Sequence, residues 1–188
     1  MTRTKLPADM RRAATVESVI VLAASTNPAD ITTAQIAAQM GVTQGALFRH
    51  FADKQAVWTA VMDWTADTLL ARVDASAGPT PLDTLQAIFA AHIDFIVEHA
   101  GVPRILFGEL QRDGDAPGKM RVRALMAAYR GRVMRLLDLA KAQRQIDAFA
   151  GGLAFLRGEA FGHHHFVRQA QDRVEQAGTG GVRIVLEA

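Results

Sequence analysis

Three helix-start signals crowd into residues 31–54, and this crowding limits the possible folds more than any other feature of the sequence. The three residues are of types that cap helix N-termini: Thr32, Thr43 and Asp53. Gln35 stands three positions after the first of them, which is the spacing of a capping box. Gly41 lies where a left-handed backbone would end the first helix. The stretch therefore predicts two short helices, the first through Met40 and the second over 44–50, joined by a tight turn: a helix-turn-helix.

Apolar residues recur at three- and four-residue steps through most of the remaining chain. They predict further helices over 8–24, from Asp53 past Leu69, from Thr80 past Ile96, from Val102 to Gln111, and across 122–140. Breaks fall at 76–80 and 113–118, where glycine and proline concentrate. No alternating strand pattern of any length appears before Gly181, so the predicted fold class is all-α.

The last 38 residues, from Gly151 onward, fit this helical pattern poorly. They hold seven of the fifteen glycines, and each glycine costs about 1 kcal/mol inside a helix. We predict broken or weak helices over 145–158 and 161–176, and a short strand or tail over 182–186.

Composition limits the classes of protein that are compatible with this chain. Its 188 residues are 49% hydrophobic and 21% charged, a balance that favours a globular protein over a disordered one. The net charge is only +2, so binding to nucleic acid would have to be local. Cysteine is absent, and no apolar run is long enough for a signal peptide or a membrane span. We therefore expect a soluble, cytoplasmic protein that is not associated with a membrane.

The two short helices would present a polar face outward. Packing would turn Ile36, Val42, Leu47 and Phe51 inward and leave Gln44, Ala46, Phe48, Arg49 and His50 outside. The amide of Gln44 suits an adenine edge, or donation to guanine, which makes it the candidate base reader. Four residues at helix starts are candidate phosphate contacts: Thr32, Thr33, Thr43 and Lys54. Gln44 and Arg49 as plain solvated surface, and His50 as a helix-end residue, are the alternatives.

The string TTAQIAAQMGVTQGALFRHFADK, residues 32–54, resembles the DNA-binding domain of tetracycline-repressor-type (TetR family) regulators. The resemblance rests on the threonine pair, Ile-Ala, Gly-Val, Gly, an aromatic residue, His-Phe and Lys. It implies a three-helix DNA-binding domain over 1–54 and a helical effector-binding and dimerisation domain over 55–188. It also implies DNA contacts by Thr33, Thr43, Gln44, Phe48, His50 and Lys54. The family usually has Tyr at the place of Phe48, so a hydroxyl contact to phosphate is missing here.

The same resemblance implies a small-molecule site in the second domain. Bulky or soft residues on helices expected to face each other are candidates for its lining: Trp58, Met62, Phe89, His92, Phe107, Met126 and Tyr129. Ordinary hydrophobic core is the alternative for each of them. His92 and Tyr129 are the most informative, because a polar tip on an apolar face needs a partner.

The helix over 121–144 carries seven basic residues against one acidic residue, Asp138. This face is open to interpretation as a nucleic-acid or membrane stripe. We expect a solvated or salt-bridged face instead, because residues 83–115 hold six acidic residues against two basic ones.

The sequence as a whole predicts a ligand-responsive repressor that binds a palindromic operator as a homodimer, without cofactor or metal. One alternative is a helical small-molecule-binding protein without DNA recognition. Another is a metal-dependent enzyme that uses His163, His164 and His165. Consecutive histidines point in different directions on a helix, whereas a ligand pair needs three- or four-residue spacing. No catalytic motif is present either, so the protein is not expected to be an enzyme.

Overall fold

Seven α-helices follow one another along the part of the chain that the computed structural model describes, residues 8–114 and 116–145. Their bounds are α1 Ala8–Ala23, α2 Thr33–Gln39, α3 Gln44–Leu47, α4 Lys54–Ala75, α5 Pro81–Glu98, α6 Gly101–Leu110 and α7 Pro117–Ala142. A short 3₁₀ turn, Pro28–Asp30, precedes α2. Within these ranges no residue lies in a strand, which confirms the all-α prediction. The predicted weak helices and tail after residue 145 lie outside the described residues.

The helix starts are where the capping residues predict them. Thr32 and Gln35 form both bonds of a capping box at α2. Asp53 accepts a hydrogen bond from the Ala56 backbone amide (2.7 Å) at the start of α4, and Thr80 accepts one from the Asp83 amide (3.2 Å) at α5. The local signals in the sequence were therefore sufficient to place these helices.

The turn between α2 and α3 depends on Gly41. Its φ of +65° lies in the left-handed region, which glycine enters without steric cost. The Val42 backbone amide then bonds to the Ala37 carbonyl (2.9 Å), which returns the chain toward α2. This geometry ends α2 and sets the direction of α3.

The α3 helix is shorter than the sequence predicts. It ends at Leu47 and not at His50. The His50 amide bonds to the Leu47 carbonyl, three residues back, at 3.0 Å. A backbone hydrogen bond between residues three positions apart, instead of the four of an α-helix, tightens the chain into a turn. Residues 48–50 therefore form a turn at the end of a one-turn helix.

One cluster of buried apolar side chains runs through the described residues, from α1 to α7. The α1 helix packs against α2, α4 and α6, and α4 packs against α1, α5 and α7. Gly101 marks the closest approach of α6 to α1, since a Cβ atom there would lie 2.0 Å from the Ile20 carbonyl oxygen. Among the described residues, no helix combines the length and apolar character needed to cross a bilayer.

Candidate nucleic-acid interface

The α2–α3 pair rests on three apolar side chains that are almost fully buried. Ile36 is 0% exposed, and Leu47 and Phe51 are each 2% exposed. Val42, which the sequence places inward with them, is only half-buried. These side chains seat the pair against the core, and the opposite side of α3 is left to solvent.

The exposed side of the pair carries most of the residues predicted to contact DNA. Thr32, Thr43, Gln44, Phe48 and Arg49 are exposed, whereas Thr33, Ala46, His50 and Lys54 are half-buried. Phe48 keeps 42% of its surface in solvent, although an apolar ring normally avoids it. The predicted contact residues from Thr32 to His50 thus lie on the α2–α3 pair or on the turn after it, each at least partly open to solvent.

The Gln44 side chain is held by a hydrogen bond across the turn. Its Nε2 donates to the Thr33 Oγ1 atom at 2.6 Å. Thr32 and Thr43 are engaged differently, because their hydroxyls accept backbone amides at the starts of α2 and α3, from Gln35 and Ala46 at 3.2 Å each. Thr33 is therefore the threonine of this surface that orients the candidate base reader.

Sequence reasoning missed Arg12, a residue of α1 that secures the end of the α3 region. Its Nη1 donates to the His50 carbonyl oxygen at 3.0 Å, and its guanidinium carbon lies 4.7 Å from the centre of the Phe51 ring. The two residues are 38 positions apart, so no local sequence pattern predicts this hydrogen bond. Arg12 fixes the turn that follows α3 from outside, by a hydrogen bond and a cation–π contact.

Lys54, the first residue of α4, is a predicted phosphate contact that lies outside the α2–α3 pair. Its Nζ lies 3.5 Å from the Ala29 carbonyl oxygen and 5.8 Å from the Trp58 ring centre. These contacts hold the ammonium group beside the 3₁₀ turn. Lys54 is half-buried, so the group retains access to solvent.

The residues predicted to line an effector site separate into three groups. Trp58 and Met62 are buried in α4, Phe89, His92 and Tyr129 are half-buried, and Phe107 and Met126 are exposed by 50% and 45%. The described structure therefore places the last two at the surface and the first two in the core. Their role in ligand binding stays a prediction.

His92 of α5 and Tyr129 of α7 pack edge to face, with ring centres 5.4 Å apart and planes at 74°. The Nδ1 atom of His92 is buried without a hydrogen-bond partner. Burial lowers the pKa of His92 below its ordinary value and raises that of Tyr129. This pair is a neutral, polar spot between two helices, with one unsatisfied ring nitrogen.

Two arginines on the basic face of α7 form salt bridges, as predicted for this face, but their partners lie on a different helix. Arg121 binds Asp63 (2.7 Å), and Arg132 binds both carboxylate oxygens of Asp74 (2.6 and 2.7 Å). Both aspartates belong to α4 and not to residues 83–115, because α4 packs directly along α7. The bidentate bond to Arg132 lowers the pKa of Asp74.

The structure gives no support for a metal site in the residues it describes. In ranges 8–114 and 116–145, no three His, Asp or Glu side chains lie close enough together to hold a metal ion. The three consecutive histidines of the alternative enzyme reading, from His163 to His165, lie outside these ranges.

The α3 helix packs on buried apolar side chains, exposes a polar face and is joined to α2 by a tight turn. This arrangement defines a helix-turn-helix protein of the all-α class. Residues 21–61 match the family model of bacterial regulatory proteins of the tetR family. This part of the chain therefore belongs to the TetR family, as the sequence resemblance indicates.

Curated relatives agree with this family. The chain is similar to the nucleoid occlusion factor SlmA of Idiomarina loihiensis, with 32% identity over 81 residues, which is 42% of this chain and 41% of the relative. It is 29% identical to SlmA of Shewanella amazonensis over 116 residues, which is 60% of this chain and 58% of the relative. The chain thus spans about half the length of the curated relatives it matches.

Solved structures extend the likeness over most of the chain. A ketosteroid transcriptional regulator, KstR2 of Mycobacterium tuberculosis, is 26% identical with a TM-score of 0.60, over 71% of this chain and 69% of that one. A putative fatty acid metabolism regulator of Clostridium perfringens superposes with a TM-score of 0.66 at 17% identity, over 89% of each chain. The second likeness concerns the fold alone.

Proposed function

We propose that this protein is a transcriptional repressor that binds a palindromic operator as a homodimer and is released by a small-molecule effector. Residues 1–54 form the DNA-binding domain in this proposal, and residues 55–188 form the effector-binding and dimerisation domain. The family of residues 21–61 supports the DNA-binding role. The observation that carries the proposal is the exposed Gln44 amide on α3, above its buried apolar support.

The proposed docking follows from this exposure. The α3 helix enters the major groove, where the amide of Gln44 can both donate to and accept from a base edge. Arg49 and the ring of Phe48 border it on the exposed side. The threonine hydroxyls, His50 and Lys54 contact phosphates and set the register of the protein on the duplex.

Two-fold symmetry supplies the second half-site. Half-sites one helical turn apart, roughly 34 to 36 Å, need two α3 helices at the same separation. An effector that prefers a different separation reduces operator affinity by its differential binding to the two states. A preference of about 1.4 kcal/mol is sufficient for a tenfold loss. Release of DNA is then a shift of population between two states of the dimer.

The effector site of this proposal centres on His92 and Tyr129. The unsatisfied Nδ1 of a neutral His92 accepts a hydrogen bond when the ring proton is on Nε2, and the Tyr129 ring packs against it. It fits an apolar molecule that carries one hydroxyl or another neutral donor. The similarity to a regulator named for ketosteroids is consistent with an effector of this polarity.

Selection of bound fragments from genomic DNA, followed by anisotropy titrations on the enriched sequence, tests the proposal. Enrichment of an inverted repeat is expected, whereas recovery of random fragments contradicts the proposal. A few sites beside promoters favour a repressor. Many sites dispersed over the chromosome favour a role like that in the name of the SlmA relatives.

Substitutions then test the contact residues. Gln44→Ala is expected to lose about 1 to 3 kcal/mol on the selected site and to relax the choice of one base per half-site. Gln86→Ala, an exposed glutamine on α5, is the matched control and should bind like the wild type. Lys54→Ala should weaken all sequences evenly and flatten the salt dependence by about one unit. Equal losses on the selected and on random DNA for Gln44→Ala would refute its assignment as a base reader.

A further inference from the structure

The bond between Gln44 and Thr33 changes what the Gln44 amide can offer to a base. A free glutamine amide has two N–H donors and one carbonyl acceptor. In this structure one of the two N–H groups is engaged by the Thr33 hydroxyl at 2.6 Å. One N–H donor and the carbonyl acceptor remain available for other partners.

This remaining pair matches one purine better than the other. Adenine presents an acceptor, N7, beside a donor, the N6 amino group, whereas guanine presents two acceptors, N7 and O6. A free amide can turn both N–H groups toward guanine. An amide that has already given one N–H to Thr33 can complete a two-bond contact only with adenine.

We propose that Thr33 is a positioning residue that makes the α3 surface read adenine, and reject guanine, at the base that faces Gln44. The inference rests on the proposed function, since it concerns the same surface and specifies which base that surface selects. It assigns to Thr33 a role in sequence choice in addition to any contact with phosphate.

The local structure leaves Thr33 available for this role. Thr32, and not Thr33, caps α2, because the Thr32 hydroxyl accepts the Gln35 backbone amide and donates to the Gln35 side chain at 2.9 Å. Thr33 is the first residue of α2, half-buried, and its oxygen accepts from Gln44. A substitution at position 33 therefore removes the contact with Gln44 without removing a helix cap.

The test compares Thr33→Val with Thr33→Ser on two operators. They carry adenine or guanine at the selected position, which is the base of each half-site whose choice Gln44→Ala relaxes. Valine has the shape of threonine without the hydroxyl, and serine keeps the hydroxyl. The wild type and Thr33→Ser are expected to prefer adenine on the order of tenfold per half-site, as a good two-bond contact does. Thr33→Val should lose most of this preference, chiefly by binding the guanine operator more tightly.

A second measurement needs no variant at position 33. An operator with 7-deazaadenine at the selected position lacks the N7 acceptor. Its affinity for the wild type should fall about tenfold. Gln44→Ala should bind the modified and the unmodified operator equally.

The outcomes separate this inference from the function on which it rests. If fragment selection recovers no inverted repeat with the wild type, the proposed function itself fails. If a repeat is recovered but Thr33→Val keeps the full adenine preference, or loses affinity for both operators evenly, Thr33 contacts only the backbone and the inference is overturned. Insensitivity of the wild type to 7-deazaadenine overturns it as well.

Discussion

Replacement of Gly101 by alanine should separate α1 from α6 and destabilise the protein. The new Cβ atom would lie 2.0 Å from the Ile20 carbonyl oxygen and 3.0 Å from the Ala24 backbone nitrogen. Both atoms belong to the main chain at the end of α1, so no side chain can rotate to make room. Relief requires movement of α1, which carries Ile20 (4% exposed) and Ala23 (0% exposed) in the core.

The magnitude follows from this geometry. Overpacking of a well-packed core costs about 1 to 3 kcal/mol, and we expect about 3 kcal/mol because main-chain atoms obstruct the new methyl group. For a chain of this length, a loss of that size lowers Tm by about 6 to 12 °C. Urea denaturation and thermal melting, both followed by circular dichroism at the helix band, measure the two quantities.

Gly108→Ala is the matched control, because it makes the same substitution in the same helix. Its Cβ atom would meet only the Pro28 Cβ atom, at 3.9 Å, which is an ordinary contact. Alanine is a better helix former than glycine by about 1 kcal/mol, so this variant should be more stable than the wild type. If Gly101→Ala is as stable as the wild type, or if the two variants shift in the same direction, the close approach of α1 and α6 is not as described.

Two further predictions concern Arg12 and His92. Arg12→Ala should lower the free energy of unfolding by about 1 kcal/mol in thermal melts, because it removes an exposed hydrogen bond and a cation–π contact. The control Arg104→Ala, on the exposed side of α6, should leave the free energy of unfolding unchanged. Because burial lowers the pKa of His92 from 6.5, the unfolded chain takes up a proton at higher pH than the native state, so stability is lost as pH falls below about 6.5. His92→Phe should reduce this loss in melts at pH 7.5, 6.5 and 5.5, and an unchanged pH dependence would show that His92 does not contribute to it.

The elements that the sequence predicts correctly are those whose cause is local. Thr32, Asp53 and Thr80 each bond to an amide three residues away, so both partners are visible in one short window of sequence. Gly41 is recognised for the same reason, because the backbone angle it adopts is a property of one position. The position of the helix-turn-helix could therefore be predicted from the sequence alone.

The contacts that escaped prediction join distant parts of the chain. The bond from Arg12 to His50 depends on how α1 crosses the α3 region, and the partners of Arg121 and Arg132 depend on which helix packs along α7. Glu109 is a third case, since a glutamate on an amphipathic helix is expected in solvent but is only 7% exposed here. Its bond to Arg112 (3.2 Å) is local, whereas its burial comes from the packing of its Oε2 atom against Gly118 at the start of α7. Charge and periodicity within one helix carry no information on such tertiary pairings.

The brevity of α3 has a consequence for protein engineering. Four helical residues are too few to persist as an isolated peptide, because helix nucleation alone costs more than one turn returns. An excised segment over 31–54 should accordingly show a random-coil spectrum and no affinity for an operator. To transfer the sequence preference to another regulator, individual surface residues would have to be substituted in a protein that already has its own buried apolar support for the helix. Transplanting the short helix alone would not be sufficient.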